Sequence, residues 1–91
     1  MFHCYILYSP SLNKFYIGHT GDSLTNRLRK HNSNHKGFTG QKADWSIVHK
    51  EMFDNKDQAL AREKEIKAWK SRVMIQKLLE RYTKNLKHPD L

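Results

Sequence analysis

The chain has 91 residues, with 17 Lys and Arg against 9 Asp and Glu for a formal net charge of +8. That length holds one domain with a modest core, burying about 60–65% of the unfolded surface, and excludes a second independently folding unit. The single cysteine, Cys4, excludes a disulfide framework or a cysteine-clustered zinc site and points to a reducing, cytoplasmic setting. The opening stretch Phe2–Tyr8 (FHCYILY) is aromatic and β-prone with no glycine or proline, and reads as a strand. Ser9-Pro10-Ser11-Leu12-Asn13 carries turn chemistry, and Phe15–Thr20 (FYIGHT) reads as the second strand of a hairpin over 2–8 and 14–20. Gly18 inside that strand marks a bulge or a close approach to the backbone.

Asp22 or Ser23 is a good N-cap for a helix over 23–34, which puts Leu24, Leu28 and His31 on one face with Arg27 at its edge. Asn32–Asp44 has two glycines and little periodicity, so it reads as a long, basic, mobile loop. Trp45–Phe53 alternates Trp45, Ile47 and His49 against Ser46, Val48 and Lys50, a third strand. From Lys56 to Ser71 the spacing turns helical, with Ala59, Leu60, Ile66, Trp69 and Val73 as the apolar stripe. A further helix over 73–82 carries Ile75, Leu78, Leu79 and Tyr82. Residues 83–91 read as a polar basic tail that frays beyond a single domain over 1–82. The order β-β-α-β-α-α predicts an α/β (α+β) fold: a small, mostly antiparallel three-stranded sheet flanked by helices.

The basic excess is uneven. Residues 1–21 carry only Lys14 and no acid, whereas residues 45–91 carry eleven basic and seven acidic side chains. Such a distribution suits a polyanion such as DNA or RNA. No apolar run approaches the roughly 20 residues of a membrane span, the N-terminus has no signal-peptide flank, and no small-molecule-cofactor fingerprint is present.

Binary patterning has informative violations. At about 100° per residue, Glu63 falls about 40° from Ala59 and 60° from Ile66, inside the apolar stripe. A carboxylate there is costly unless it is paired, with Lys67 one turn on or near Arg62, or coordinates a cation. Arg27 and His31 stack four apart, and Tyr5 and Tyr16 stand near the middle of the hairpin strands.

Taken in order, Tyr5-Ile6-Leu7, Tyr16-Ile17-Gly18, Arg27 with His31, and Ala61-Arg62-Glu63 resemble the GIY-YIG nuclease family, in particular its small stand-alone bacterial members related to the nuclease domain of the excision-repair incision subunit. The likeness runs over residues 2–80. The YIG triplet is intact at Tyr16-Ile17-Gly18, whereas His3-Cys4-Tyr5 keeps only the tyrosine of the first triplet. The resemblance implies a metal-dependent endonuclease acting on DNA in repair, recombination or restriction. Catalytic residues by this likeness are Tyr5, Tyr16, Arg27, His31 and Glu63. Glu63 would hold a divalent ion, Mg2+ first and Mn2+ as the alternative. Arg27 would stabilise phosphoryl charge, Tyr5 would activate water, and Tyr16 would orient water or phosphate. Gly18 would let substrate approach the backbone, and His19, where relatives place a lysine, would contact phosphate or assist proton transfer. Arg29, Lys30, Lys36, Lys42 and Lys67 are the candidate DNA-binding cations. Target choice would fall to the domain itself, a homodimer or a recruiting protein. The alternatives are a catalytically inactive nucleic-acid-binding module and a structural domain that meets an acidic protein.

Overall fold

The computed structural model describes residues 1–33 and 44–87. They form β1 (Phe2–Ser9), β2 (Lys14–Thr20), α1 (Leu24–Ser33), β3 (Ser46–Phe53), α2 (Lys56–Trp69) and α3 (Arg72–Lys87). The sheet is antiparallel throughout with order β2-β1-β3, so the most apolar strand is central and the other two are edges. The element order and class match the sequence expectation.

The hairpin turn closes through Asn13, whose φ of 54° lies in the left-handed region that asparagine tolerates better than most residues. Asn13 N–H donates to the Ser9 carbonyl at 2.7 Å. Asp44 ties this turn to the approach of β3, accepting from Ser9 Oγ at 2.5 Å and from the Ser11 amide at 2.9 Å. Ser23 caps α1 by accepting from the Asn26 amide, and Asn55 caps α2 by accepting from the Gln58 amide. Lys70, at φ 48° and ψ 38°, ends α2, and Ser71 Oγ accepts from the Met74 amide to start α3.

Alternate residues of β1 feed two cores. Cys4 and Ile6 pack with Ile66 and Ile75 beneath α2 and α3, whereas Tyr5 and Leu7 pack with Trp45 and the Leu24 and Leu28 side chains of α1. The sheet is therefore sandwiched between α1 and the α2–α3 pair. Cys4 is fully buried, and burial pushes its thiol up to about 12, which leaves it a packing residue. Ile66 is 1% exposed in the centre of the α2 core. Ile66→Ala is expected to lower stability by about 2–4 kcal/mol with an unchanged denaturant slope, read as a fall in the urea midpoint.

Four expectations are corrected. Trp45, Ile47 and His49 do not share one face: Leu7 pairs with Ile47 and Ile6 with His49, so Val48 is an extra residue in a β-bulge. Val48 and His49 consequently lie on the α2–α3 side, while Ile47 packs on the α1 side. Val73 leaves the apolar stripe and is 60% exposed, because the left-handed Lys70 breaks the helical phase before it. The last helix begins at Arg72 and continues past Tyr82 to Lys87; no glycine or proline precedes Pro89 to stop it, so residues 83–87 are helix rather than tail. The predicted loop up to residue 43 lies outside the described residues.

Candidate active site

Register decides what faces α1. Tyr5 pairs with Gly18 and Leu7 with Tyr16, so both tyrosines lie on the α1 side of the sheet. Tyr5 is 1% exposed and Tyr16 39%. Their rings stack at 6.3 Å between centroids, and His31, from the last turn of α1, meets Tyr16 edge-on at 4.5 Å and Tyr5 at 6.4 Å. Gly18 makes this possible: a Cβ there would sit 2.8 Å from the Tyr5 hydroxyl and 2.9 Å from Tyr16 Cε1. The close approach marked by this glycine is thus that of the Tyr5 ring.

Arg27 completes the group. Tyr5 Oη, Arg27 Nε and His31 Nε2 are all buried; the Tyr5 hydroxyl lies against the Arg27 side chain, and among the described residues none of the three atoms closes a well-aligned hydrogen bond. Such atoms are uncommon in native folds and call for an explanation. Burial pushes the Tyr5 phenol above its ordinary value, and the nearby Arg27 guanidinium offsets this only in part. Burial, followed by the Arg27 charge, holds the His31 imidazole below its ordinary value. At neutral pH the phenol is a donor, and the imidazole is neutral with one nitrogen able to accept a proton.

Trp45 Nε1 beside them is a further buried atom of this kind, on a residue that sequence reasoning passed over as strand core. Its ring lies 6.5 Å from Tyr16 and 6.4 Å from His31. Asn32 fixes it there by a two-point clamp: Trp45 N–H donates to Asn32 Oδ1 at 2.9 Å, and Asn32 Nδ2 donates to the Trp45 carbonyl at 3.1 Å. A tryptophan at a strand start is no sequence signal by itself; only the long-range placement identifies it.

Glu63 lies on the other side of β2. His19 pairs with Cys4 in the register and so faces α2, where its Nδ1 meets Glu63 Oε1 at 2.5 Å. Lys67 Nζ donates to Glu63 Oε2 at 2.7 Å. Burial raises the Glu63 carboxyl, but Lys67 and His19 outweigh it and hold the group below the usual carboxylate range. Glu63 is 12% exposed, so the stripe violation is a half-buried anion with cationic company. Arg62 does not join it: its guanidinium binds Glu51 at 3.0 and 3.1 Å and Glu65 at 3.0 Å. Glu51 also meets His49 Nε2 at 2.7 Å.

The structure thus brings Tyr5, Tyr16, Arg27 and His31 together on one side of edge strand β2, and Glu63, His19 and Lys67 on the other. The groups remain in electrical contact, with the Glu63 charge felt at Tyr5 and Tyr16 felt at Lys67. Arg29 and Lys30 are exposed on α1, and Lys67 is 53% exposed beside Glu63. Lys36 and Lys42 lie outside the described residues. Among the described residues no three His, Cys, Asp or Glu side chains gather into a metal cage, and no helix is long and apolar enough to cross a membrane.

Residues 1–78 match the family profile of the GIY-YIG catalytic domain. No curated protein matches the chain, and no solved structure does.

Proposed function

The chain belongs to the GIY-YIG family, a nuclease family, and from that premise we propose that it is a metal-dependent endonuclease hydrolysing phosphodiester bonds in DNA. The observation that carries this reading is the buried group of Tyr5, Arg27 and His31, with the Tyr5 hydroxyl against Arg27 and His31 Nε2 unpartnered among the described residues, on one side of β2, and an ionised half-buried carboxylate on the other. Donors toward phosphate oxygens, an acceptor for a water proton and an anion for a hard cation are what such hydrolysis requires.

Glu63 fits a divalent cation. It is ionised, it already holds one cation on Oε2, and its remaining lone pairs suit an ion otherwise bound by water and phosphate, the habit of magnesium. A bound ion at Glu63 would polarise a phosphoryl oxygen as a Lewis acid. The chain's own residues do the rest. Arg27 neutralises charge on the phosphoryl oxygens with its planar fork. Tyr5, kept protonated by burial, donates its hydroxyl hydrogen to phosphate or water. His31, kept neutral, takes the proton of the attacking water at Nε2. Tyr16, exposed at the edge, orients the incoming group, and His19 holds the Glu63 carboxylate in place. Exposed Arg29 and Lys30 contribute sequence-independent affinity. Selection of a target in repair, recombination or restriction falls to the domain's own surface, a second copy or a recruiting protein.

The deciding assay measures cleavage of duplex, single-stranded, flap and branched DNA with magnesium, with manganese and with chelator. Metal-dependent cleavage supports the reading; tight binding with no cleavage under any condition would leave an inactive binding module.

The His31 assignment has its own signature. With the imidazole depressed, its neutral form persists below the ordinary histidine value of about 6.5. Activity is lost as pH falls through the depressed value, so the acid limb of kcat/KM is expected below pH about 6.5. A rate that keeps climbing through pH about 9–10 would assign the proton to the Tyr5 phenol instead.

A further inference from the structure

Beside the site, between β2 and the turn joining α2 to α3, lies a cleft of about 520 Å³. Its rim carries Lys14, Lys67, Lys70 and Arg72, and among the described residues no acidic side chain lines it. Its floor is apolar, with half-buried Phe15 and Ile17 backed by the α2 core. Tyr16 and Lys67 belong to the cleft as well as to the site, so the two are continuous.

We infer that this cleft holds an unpaired strand of the DNA substrate on one side of the scissile phosphate, with its phosphates on the cationic rim and a base against the floor. The inference rests on the nuclease reading for its substrate. Charge complementarity selects a polyanion. The floor selects an unpaired strand, because a duplex presents phosphates but keeps its base faces stacked, whereas a single strand offers them to apolar and aromatic surfaces. The rim is built rather than incidental. Arg72 Nη1 donates to the Asn13 carbonyl at 3.0 Å and Nη2 to Asn13 Oδ1 at 2.5 Å, with the guanidinium carbon 5.1 Å from the centre of the Phe15 ring. Two of its five donors are thus used to fix the fork, and the others remain to meet phosphate. Lys70 projects from the left-handed residue that ends α2, a position set by the backbone.

The test uses Lys70→Gly. Glycine removes the charge and suits the φ of 48°, so lost binding cannot be attributed to unfolding. Binding is read by fluorescence anisotropy in chelator, where nothing is cut. The probes are a labelled single strand of about 12 nucleotides and the same strand made abasic. The intact strand is expected to bind at least about fivefold tighter than the abasic one. Lys70→Gly is expected to make the plot of log affinity against log salt shallower by about 0.7, the loss of one single-strand phosphate contact, with a Tm no lower than the parent's. An unchanged salt slope, or equal affinity for the abasic strand, overturns the inference. Cleavage by the parent protein, measured alongside, separates the two readings. Metal-dependent cleavage with an unchanged slope removes the cleft and leaves the nuclease. A changed slope with no cleavage supports the cleft as a nucleic-acid groove and removes the nuclease.

Discussion

Glu63→Gln is expected to reduce metal-dependent cleavage by about 10³-fold or more, the rate equivalent of losing several kcal/mol of metal-assisted charge stabilisation. DNA affinity is expected to persist, because the basic surface is untouched and one anion is gone. Stability is expected to fall modestly: the amide oxygen still accepts from Lys67, but the charge assistance in the His19 and Lys67 contacts is lost. About 1 kcal/mol, or about 4–8 °C in Tm, is the expected cost. Lys67→Met breaks one of the same contacts and spares the carboxylate. It is expected to match the stability loss or fall short of it, to keep kcat within about tenfold and to raise KM through the lost cation. Equal collapse of kcat in both variants would make Glu63 a structural partner of Lys67, and full activity in Glu63→Gln would refute the metal assignment.

Gly18→Ala is expected to lower kcat by about 10²-fold while the protein stays folded. The added methyl would lie 2.8 Å from the Tyr5 hydroxyl and 2.9 Å from both Tyr5 Cζ and Tyr16 Cε1, so a ring must move. Tyr16 lies at an open edge and can yield, but Tyr5 is 1% exposed and packed against Leu7 and Trp45. A shift of about 1 Å in a positioning group is enough for a loss of this size. No φ constraint adds to it, since the glycine is needed here for space alone. The crossed variant Gly18→Ala/Tyr5→Phe separates causes. If alanine acts by displacing the Tyr5 hydroxyl, removing that hydroxyl should leave little further effect of alanine on kcat.

The hairpin, the three strands and the starts of α1 and α2 were legible because they rest on local chemistry: β-prone runs, Ser23 as a cap, and apolar spacing along α2. Glu63 was legible too, as a charge on an apolar stripe. What could not be read were side-chain meetings between distant parts of the chain. His19 reaches a glutamate 44 positions away, and Asn32 clamps Trp45 by imitating a backbone pair. The bulge at Val48 was hidden because alternation looks regular until a partner strand imposes the register. Lys70 in the left-handed region was hidden for a similar reason, since that conformation most often signals itself through glycine. The role of Gly18 fell between: a glycine in a strand announces a close approach but not by what.

The bulge bears on how copies of this protein can meet. Among the described residues the three-stranded sheet has two margins, β2 and β3, with no further strand beside them, and such edges can recruit a strand from a neighbouring molecule. On β3 the extra residue at Val48 disturbs the regular spacing of those groups, and Lys50 adds a charge, two devices that discourage edge-to-edge aggregation. The other margin, β2, has no such irregularity in its pairing with β1, and it carries Tyr16 and Gly18. A neighbour that extended the sheet along β2 would cover the residues proposed to meet DNA. Sheet extension is therefore discouraged at one margin and, on the proposed reading of the site, self-inhibiting at the other, which turns the helical layers into the favoured surfaces for contact between copies.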